Sequence, residues 1–239
     1  MIALNHVSKT FKMKGKTLIP AVQEVNLNVT QGEFIVITGR SGSGKTTLLN
    51  LVAGLVRPTS GQVLIDNTDI WNLSDIEQSY LRNRKMGFVF QFPSLLPSLT
   101  ILENVLLPTM LRGADEKREA YVRAEKLLSE VGLSDKLQAY PRQLSAGQQQ
   151  RVVVARSLIN NPKILLADEP TSNLDEQTER EIITLLEDIH INNGITILLV
   201  THAEELVTRG SRVIKLAKGE IVKDKSMQSS SVEKLDNKI

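Results

Sequence analysis

The residues Gly39-Arg40-Ser41-Gly42-Ser43-Gly44-Lys45-Thr46, with Thr47 directly after, follow the pattern G-x-x-x-x-G-K-[ST]. Glycines at this spacing let the backbone wrap an anion with successive N–H groups turned inward, and a helix beginning at the loop's end adds the positive end of its dipole. A lysine at Lys45 can reach the β- and γ-phosphates of a nucleotide, and the Thr46 hydroxyl suits a magnesium ion. A flexible Gly/Ser turn would share the composition. It would not share the apolar run Phe34–Thr38 before the loop and the helical pattern Thr46–Ala53 after it. The loop implies a nucleotide and leaves open what its turnover would drive.

The run Ile164-Leu165-Leu166-Ala167-Asp168-Glu169 is a buried-strand pattern ending in two acids. In an open parallel sheet the C-terminal strand ends gather beside the phosphate loop. Asp168 is therefore expected to hold magnesium, through water, and Glu169 to polarise the attacking water as general base. Two acids after a strand could also open a helix as N-terminal caps, a reading that the phosphate loop disfavours. Gln91 follows the run Met86–Phe90, and His202 follows Ile195–Thr201. A glutamine amide can touch magnesium or the water, and a histidine can donate to the γ-phosphate; taken alone, each residue reads as structural.

Such residues need a scaffold that aligns strand ends. Phe34–Thr38, Met86–Phe90, Ile164–Ala167 and Ile195–Thr201 read as strands buried on both faces, with helical patterns between or after them. The helix expected over Gln177–Asn192 puts Ile182, Leu185, Leu186 and Ile189 on one face and Glu179, Glu181, Glu187 and Asp188 elsewhere. Residues 2–30 and 62–70 alternate, most clearly in Ala21–Val29 and Gln62–Asp66, which predicts a small antiparallel sheet at one edge. From about residue 92 to 160 the pattern is helical without strands, with Asp115–Val131 amphipathic. The expected fold is α/β, a P-loop NTPase core with a mostly parallel sheet, an N-terminal antiparallel β edge and an inserted helical lobe. The core covers about residues 1–91 and 161–225, the lobe about 92–160, and Lys225–Ile239, rich in Ser, Lys and Asp, is expected to be a flexible tail (226–239 outside the domain).

Composition narrows the partners. With 41% apolar and 23% charged residues the chain has the balance of a packed body. A net charge of +2 is too small for a nucleic-acid footprint, so no nucleic-acid partner is expected. No apolar run approaches the roughly 18 to 20 residues that a spanning helix requires. The opening Met-Ile-Ala-Leu-Asn-His lacks the features of a signal peptide, so a cytoplasmic location is expected. The absence of cysteine excludes a disulfide framework, a thiolate zinc site and a cysteine nucleophile.

Leu144-Ser145-Ala146-Gly147-Gln148, followed by Gln149-Gln150-Arg151 and the helical pattern Val152–Ile159, resembles the L-S-G-G-Q signature of the ABC ATPase family. The resemblance runs to about residue 222 and makes Gln91 the Q-loop glutamine, Ser172-Asn173-Leu174-Asp175 the D-loop and His202 the switch histidine. It implies ATP and Mg2+ as cofactors, with Gln91 beside Thr46 and Asp168 at the metal. Ser145, Gly147 and Gln148 would open a helix and form a second anion site, too far from Lys45 for one subunit to close both on one nucleotide. Two copies would pair head to tail, Ser145 of one covering the γ-phosphate held by Lys45 of the other, with Asp175 at the seam. Two positions depart from the family pattern. Ala146 replaces the first signature glycine, which a negative φ would accommodate. Phe11 stands where the family often places an adenine-stacking tyrosine; it keeps the π-face, and it also reads as a core residue.

Phe92–Pro97 and Ile101–Pro108 are apolar for a segment entering an external lobe, which suggests a groove for a short permease helix besides ordinary packing. Leu95-Leu96-Pro97, Glu103-Asn104-Val105, Leu107-Pro108 and Pro170–Asp175 look most like the branch that includes lipoprotein-releasing LolD and the macrolide exporter MacB. The resemblance implies an ATPase subunit, peripheral on the cytoplasmic face of a membrane, whose homodimer powers separate transmembrane permease subunits in an exporter or extrusion system. A mechanical regulator of the cell-division ABC type, using the same cycle without transport, remains an alternative. A soluble ABC ATPase of DNA repair or translation would show long coiled coils, zinc modules or fused ATPase domains, which are not seen in this sequence.

Overall fold

The structure, a computed structural model, describes residues 1–12, 17–110, 115–202 and 208–227, with the backbone alone for 115–117. The first half runs β1 (Ile2–Lys12), β2 (Leu18–Val29), β3 (Phe34–Thr38), α1 (Lys45–Val52), β4 (Ser60–Ile65), β5 (Thr68–Asp69), α2 (Asp75–Lys85) and β6 (Met86–Val89). The second half runs α3 (Ile101–Leu106), α4 (Asp115–Glu130), α5 (Ala146–Leu158), β7 (Ile164–Asp168), α6 (Glu176–Asn193), β8 (Thr196–Val200), β9 (Arg212–Ala217) and β10 (Glu220–Ser226).

Six strands form the sheet that carries the site, in the order β10-β9-β3-β8-β7-β6. Neighbours from β9 to β6 are parallel, and β10 folds back antiparallel on β9. The apolar runs of β3, β7 and β8 are unbroken because both faces of the sheet are covered. Phe34, Val36, Leu165, Ala167, Ile197 and Leu199 face one core, and Ile35, Ile37, Ile164, Leu166, Leu198 and Val200 face the other. Residues from α3, α4, α5 and α6 fill the first core. Residues from α1 and a second, four-stranded antiparallel sheet, β2-β1-β4-β5, fill the other. The small antiparallel sheet expected from residues 2–30 and 62–70 is thus present, as a sheet distinct from the parallel one.

Local chemistry sets several boundaries. Asp175 caps α6 and Gly194, left-handed at φ 63°, ends it. On this helix Ile182, Ile183, Leu186 and Ile189 are buried, each worth about 1.5–3 kcal/mol relative to exposure. The helix α2, unforeseen in the sequence, starts at a reciprocal Ser74–Glu77 capping box. The β9–β10 hairpin was also unforeseen. β10 is an exposed edge strand guarded by Glu220, Lys223 and Asp224. Lys225 and Ser226, expected in a tail, are its last residues, and residues 228–239 lie outside the described residues.

One cation ties the hairpin to the antiparallel sheet. Arg212 donates to Asp224 Oδ1 and Oδ2 at 2.7 and 2.6 Å, to the Asn28 carbonyl at 2.7 Å and to Glu33 Oε1 at 3.2 Å. The Asp224 bonds raise the guanidinium's hold on its proton.

Candidate nucleotide site

The phosphate loop joins β3 to α1. Gly44, the residue before the helix, has φ 104°, and a β-carbon there would lie 2.2 Å from the Ala21 carbonyl oxygen. Only glycine fits both the backbone and the space. Inside the loop the Ser43 N–H donates to the Arg40 carbonyl at 3.1 Å, and the Ser43 carbonyl accepts from the Gly219 N–H at 3.0 Å. The turn of the β9–β10 hairpin therefore backs the loop. The buried Lys45 ammonium donates to the carbonyls of Gly39 and Arg40 at 2.9 and 3.3 Å. The buried Ser43 Oγ has no hydrogen-bond partner among the described residues, which suits a loop built for an anion's oxygens.

Strand order brings the other groups here. β8 lies between β3 and β7, so the ends of these three adjacent parallel strands carry Gly39, His202 and the Asp168–Glu169 pair side by side. Thr46 Oγ1 donates to Asp168 Oδ1 at 3.2 Å. Burial holds the Asp168 carboxyl above the ordinary aspartate range; the Thr46 bond opposes this and the Glu169 charge adds to it. Two hard oxygens, one on a desolvated carboxylate that gains from a counter-ion, fit a divalent cation.

Glu169 takes a left-handed φ of 48°, a conformation that costs a non-glycine residue about 1–3 kcal/mol. Its N–H donates to the Val200 carbonyl at 2.9 Å, which binds the end of β7 to that of β8. Its Oε1 lies 2.5 Å from His202 Nε2 and 4.0 Å from Lys45 Nζ.

Glu169, His202, Lys45, Thr46 and Thr47 line a cavity of about 330 Å³ together with Ser41–Gly44, Phe11, Ile19, Pro20 and Ala21. Phe11 and Ile19 pair across β1 and β2 and give the cavity an apolar end. Phe11 is 40% exposed, so it is not a core residue, and Lys9 Nζ lies 5.1 Å from its ring centroid. Arg40 is exposed and gives the loop its carbonyl.

Other expected residues lie elsewhere. Gln91 follows Phe90 at the end of β6, outside this cavity lining, and the buried Gln150 of α5 donates to the Phe90 carbonyl at 3.3 Å. Ser145 caps α5, accepting from the Gln148 N–H at 3.2 Å while Gln148 Oε1 accepts from the Ser145 N–H at 3.0 Å. Ser145 and Ala146 are exposed, whereas Gly147 is buried. Ala146 is helical and not in a positive-φ conformation, so its methyl group fits. Asp175 accepts from the N–H and Oγ1 of Thr178 at 3.0 and 2.7 Å, and these bonds hold its carboxyl below the ordinary range. Ser145, Gly147, Gln148 and Asp175 do not line the cavity. Sequence reasoning missed Ala21 and Gly219 behind the loop; Ala21 acts through its carbonyl, which leaves no mark in residue type, whereas Gly219 takes a φ of 84° in the β9–β10 turn, which its being glycine signals.

A family profile described as ABC transporter matches residues 22–172. The lipoprotein-releasing system ATP-binding protein LolD of Geobacter metallireducens is 44% identical over 210 residues, 88% of this chain and 93% of that protein. The macrolide export ATP-binding/permease protein MacB of Rhodopirellula baltica is 40% identical over 235 residues, 98% of this chain and 34% of that larger protein. The solved ATP-binding cassette MJ0796, in a dimeric post-hydrolysis state bound to ADP and Pi, superposes with a TM-score of 0.86 at 44% identity, covering 95% of this chain and 98% of that one. MJ0796 comes from Methanocaldococcus jannaschii. With the profile covering more than half of the chain and these identities running nearly its full length, the chain belongs to the ABC transporter family, as an ATPase of the branch that holds LolD and MacB.

Proposed function

We propose that this ATPase works as an ATP-sandwich homodimer that powers separate transmembrane permease subunits of an exporter or extrusion system of LolD/MacB type, on the cytoplasmic face of the membrane. One observation carries the reading. Lys45, Thr46, Glu169 and His202 line one cavity with Asp168 bonded to Thr46 beside it, while the exposed Ser145 stands at the N-terminus of α5, outside that cavity. A second copy related by a two-fold axis would bring its Ser145 and α5 amides over the γ-phosphate and its Asp175 to the seam.

Thr46 Oγ1 and Asp168 would hold magnesium, with Gln91 reaching the same ion. When bound there, magnesium would supply positive charge that offsets the negative charge developing during phosphoryl transfer. Lys45 would exchange its two loop carbonyls for phosphate oxygens. Glu169 would orient the attacking water and accept its proton, and His202 would hold Glu169 and donate to the γ-phosphate.

The permease reading rests on the names of the relatives and on a groove. Phe88, Phe90, Leu107, Pro108 and Arg156 line a cavity of about 510 Å³ alongside β6. Exposed Phe92 and Leu96 lie on the segment that follows. Such a surface suits a short amphipathic helix, so that closure of the dimer would move a membrane domain. No helix among the described residues is long and apolar enough to cross a membrane.

The first test is the mass in solution of Glu169→Gln with and without ATP and Mg2+. The expected result is a monomer without nucleotide and a dimer with it. A monomer that demonstrably binds ATP would count against a composite site formed by this chain alone.

A further inference from the structure

We propose that Thr178 is a positioning residue for ATP hydrolysis, fixing the spacing between the N-termini of α5 and α6 by filling the space that Gly147 leaves. A β-carbon on Gly147 would lie 2.4 Å from Thr178 Cγ2, well inside the roughly 3.5–4.0 Å at which carbon atoms rest together. Gly147 is buried while its neighbours Ser145 and Ala146 are exposed. The glycine is therefore demanded by a helix of its own subunit, in addition to anything a nucleotide asks of it.

Thr178 cannot yield easily. Its hydroxyl donates to Asp175 Oδ2 at 2.7 Å and its N–H to Oδ1 at 3.0 Å, and a β-branched side chain on a helix has few rotamers to turn to. One residue thus sets its methyl against α5 and its hydroxyl on the cap of α6. A second strut lies one turn further along: Arg151 of α5 donates to Glu181 Oε2 at 2.8 Å, and Gln177 donates to Glu181 Oε1 at 3.3 Å.

The functional half of this inference rests on the dimer reading. Ser145 and Asp175 are the groups that one subunit would present to its partner's nucleotide, and they serve only at a fixed separation. A methyl group on Gly147 would wedge the two helix ends apart without touching the phosphate loop.

The test is suppression. Gly147→Ala is expected to lower kcat about ten-fold, as mild overpacking does when it falls on the transition state. The KM for ATP should change by less than about two-fold, because Lys45 and its loop are unaltered. Adding Thr178→Ser removes Cγ2, keeps the hydroxyl on Asp175, and should return kcat to within about three-fold of the unsubstituted chain, the non-additivity expected of touching residues.

Urea unfolding midpoints of the same three chains separate packing from positioning. A double variant as slow as Gly147→Ala, or a Gly147→Ala chain of full kcat, overturns the proposal. Recovery of the midpoint without recovery of kcat removes the positioning role. The mass of Glu169→Gln decides the dimer reading independently, since it leaves Gly147 and Thr178 untouched.

Discussion

His202 Nε2 lies 2.5 Å from Glu169 Oε1, and Lys45 Nζ lies 4.0 Å from the same oxygen. The contact spans the ends of adjacent strands β8 and β7, and the Glu169 N–H bond to the Val200 carbonyl fixes its base. One carboxylate oxygen is thus addressed by the two side chains that a γ-phosphate would also engage. Glu169 is held in place in a left-handed conformation that it would not adopt by preference.

His202→Ala removes the nearer of these partners. Glu169 should then wander, and kcat is expected to fall about 100-fold, within the usual range for a positioned proton-transfer group. The KM for ATP should stay within about three-fold, because the loop that holds the phosphates is intact. Steady-state phosphate release checks both; a kcat unchanged by the substitution would remove His202 from the site.

Asp168 gives a prediction in pH. Burial is the main reason that its carboxyl sits above the ordinary aspartate range. Such a group binds more protons folded than unfolded. The nucleotide-free chain therefore loses stability as pH rises from about 4 through the raised folded value. Asp168→Asn should unfold at higher urea than the unsubstituted chain at pH 7, and the gap should close below about pH 4. Adding ATP and Mg2+ should reverse the order at pH 7, since the cation binds the carboxylate and not the amide.

Gly44→Ala should fail at two levels. The backbone at φ 104° and the Ala21 carbonyl 2.2 Å from the new methyl both oppose it. A loss of about 3 kcal/mol or more of stability is expected in urea unfolding. ATP binding measured calorimetrically should be undetectable, because β2 must move for the loop to close.

Phe11→Ala tests the apolar end of the cavity. Loss of a stacked face costs about 1–3 kcal/mol per base in nucleic-acid sites, so the KM for ATP should rise about 5- to 150-fold with kcat little changed. Phe11→Tyr should leave KM within about two-fold, since the π-face is retained. Phe11 is 40% exposed, and its truncation should leave the unfolding midpoint nearly unmoved.

The parts readable from the sequence were those whose chemistry is local. Gly39–Thr46 announces itself because the loop is one contiguous piece of backbone whose glycines and lysine must stand at fixed spacing. Phe34–Thr38 and Ile164–Ala167 are strands because a segment covered on both faces has no polar side. The helix around Ile182, Leu186 and Ile189 follows from its period, whereas its caps, Asp175 and Gly194, emerged only in the fold. The resemblance of Leu144–Gln148 to the ABC signature supplied the family, which the profile and the relatives then established.

What only the tertiary structure decided depends on which distant segments pair. The order β3-β8-β7 sets His202 between the phosphate loop and the acids. Ser43 leans on Gly219, and Gly44 on Ala21, through backbone atoms brought together from distant segments. Lys225 belongs to an edge strand because its pairing partner on β9 outweighs local composition. Gly147 likewise reads in sequence as a residue for a nucleotide, and in the fold as the neighbour of Thr178. Local propensity and spacing are properties of short segments; the separation between two helix ends is set by the packing of the whole core, and no short segment contains it.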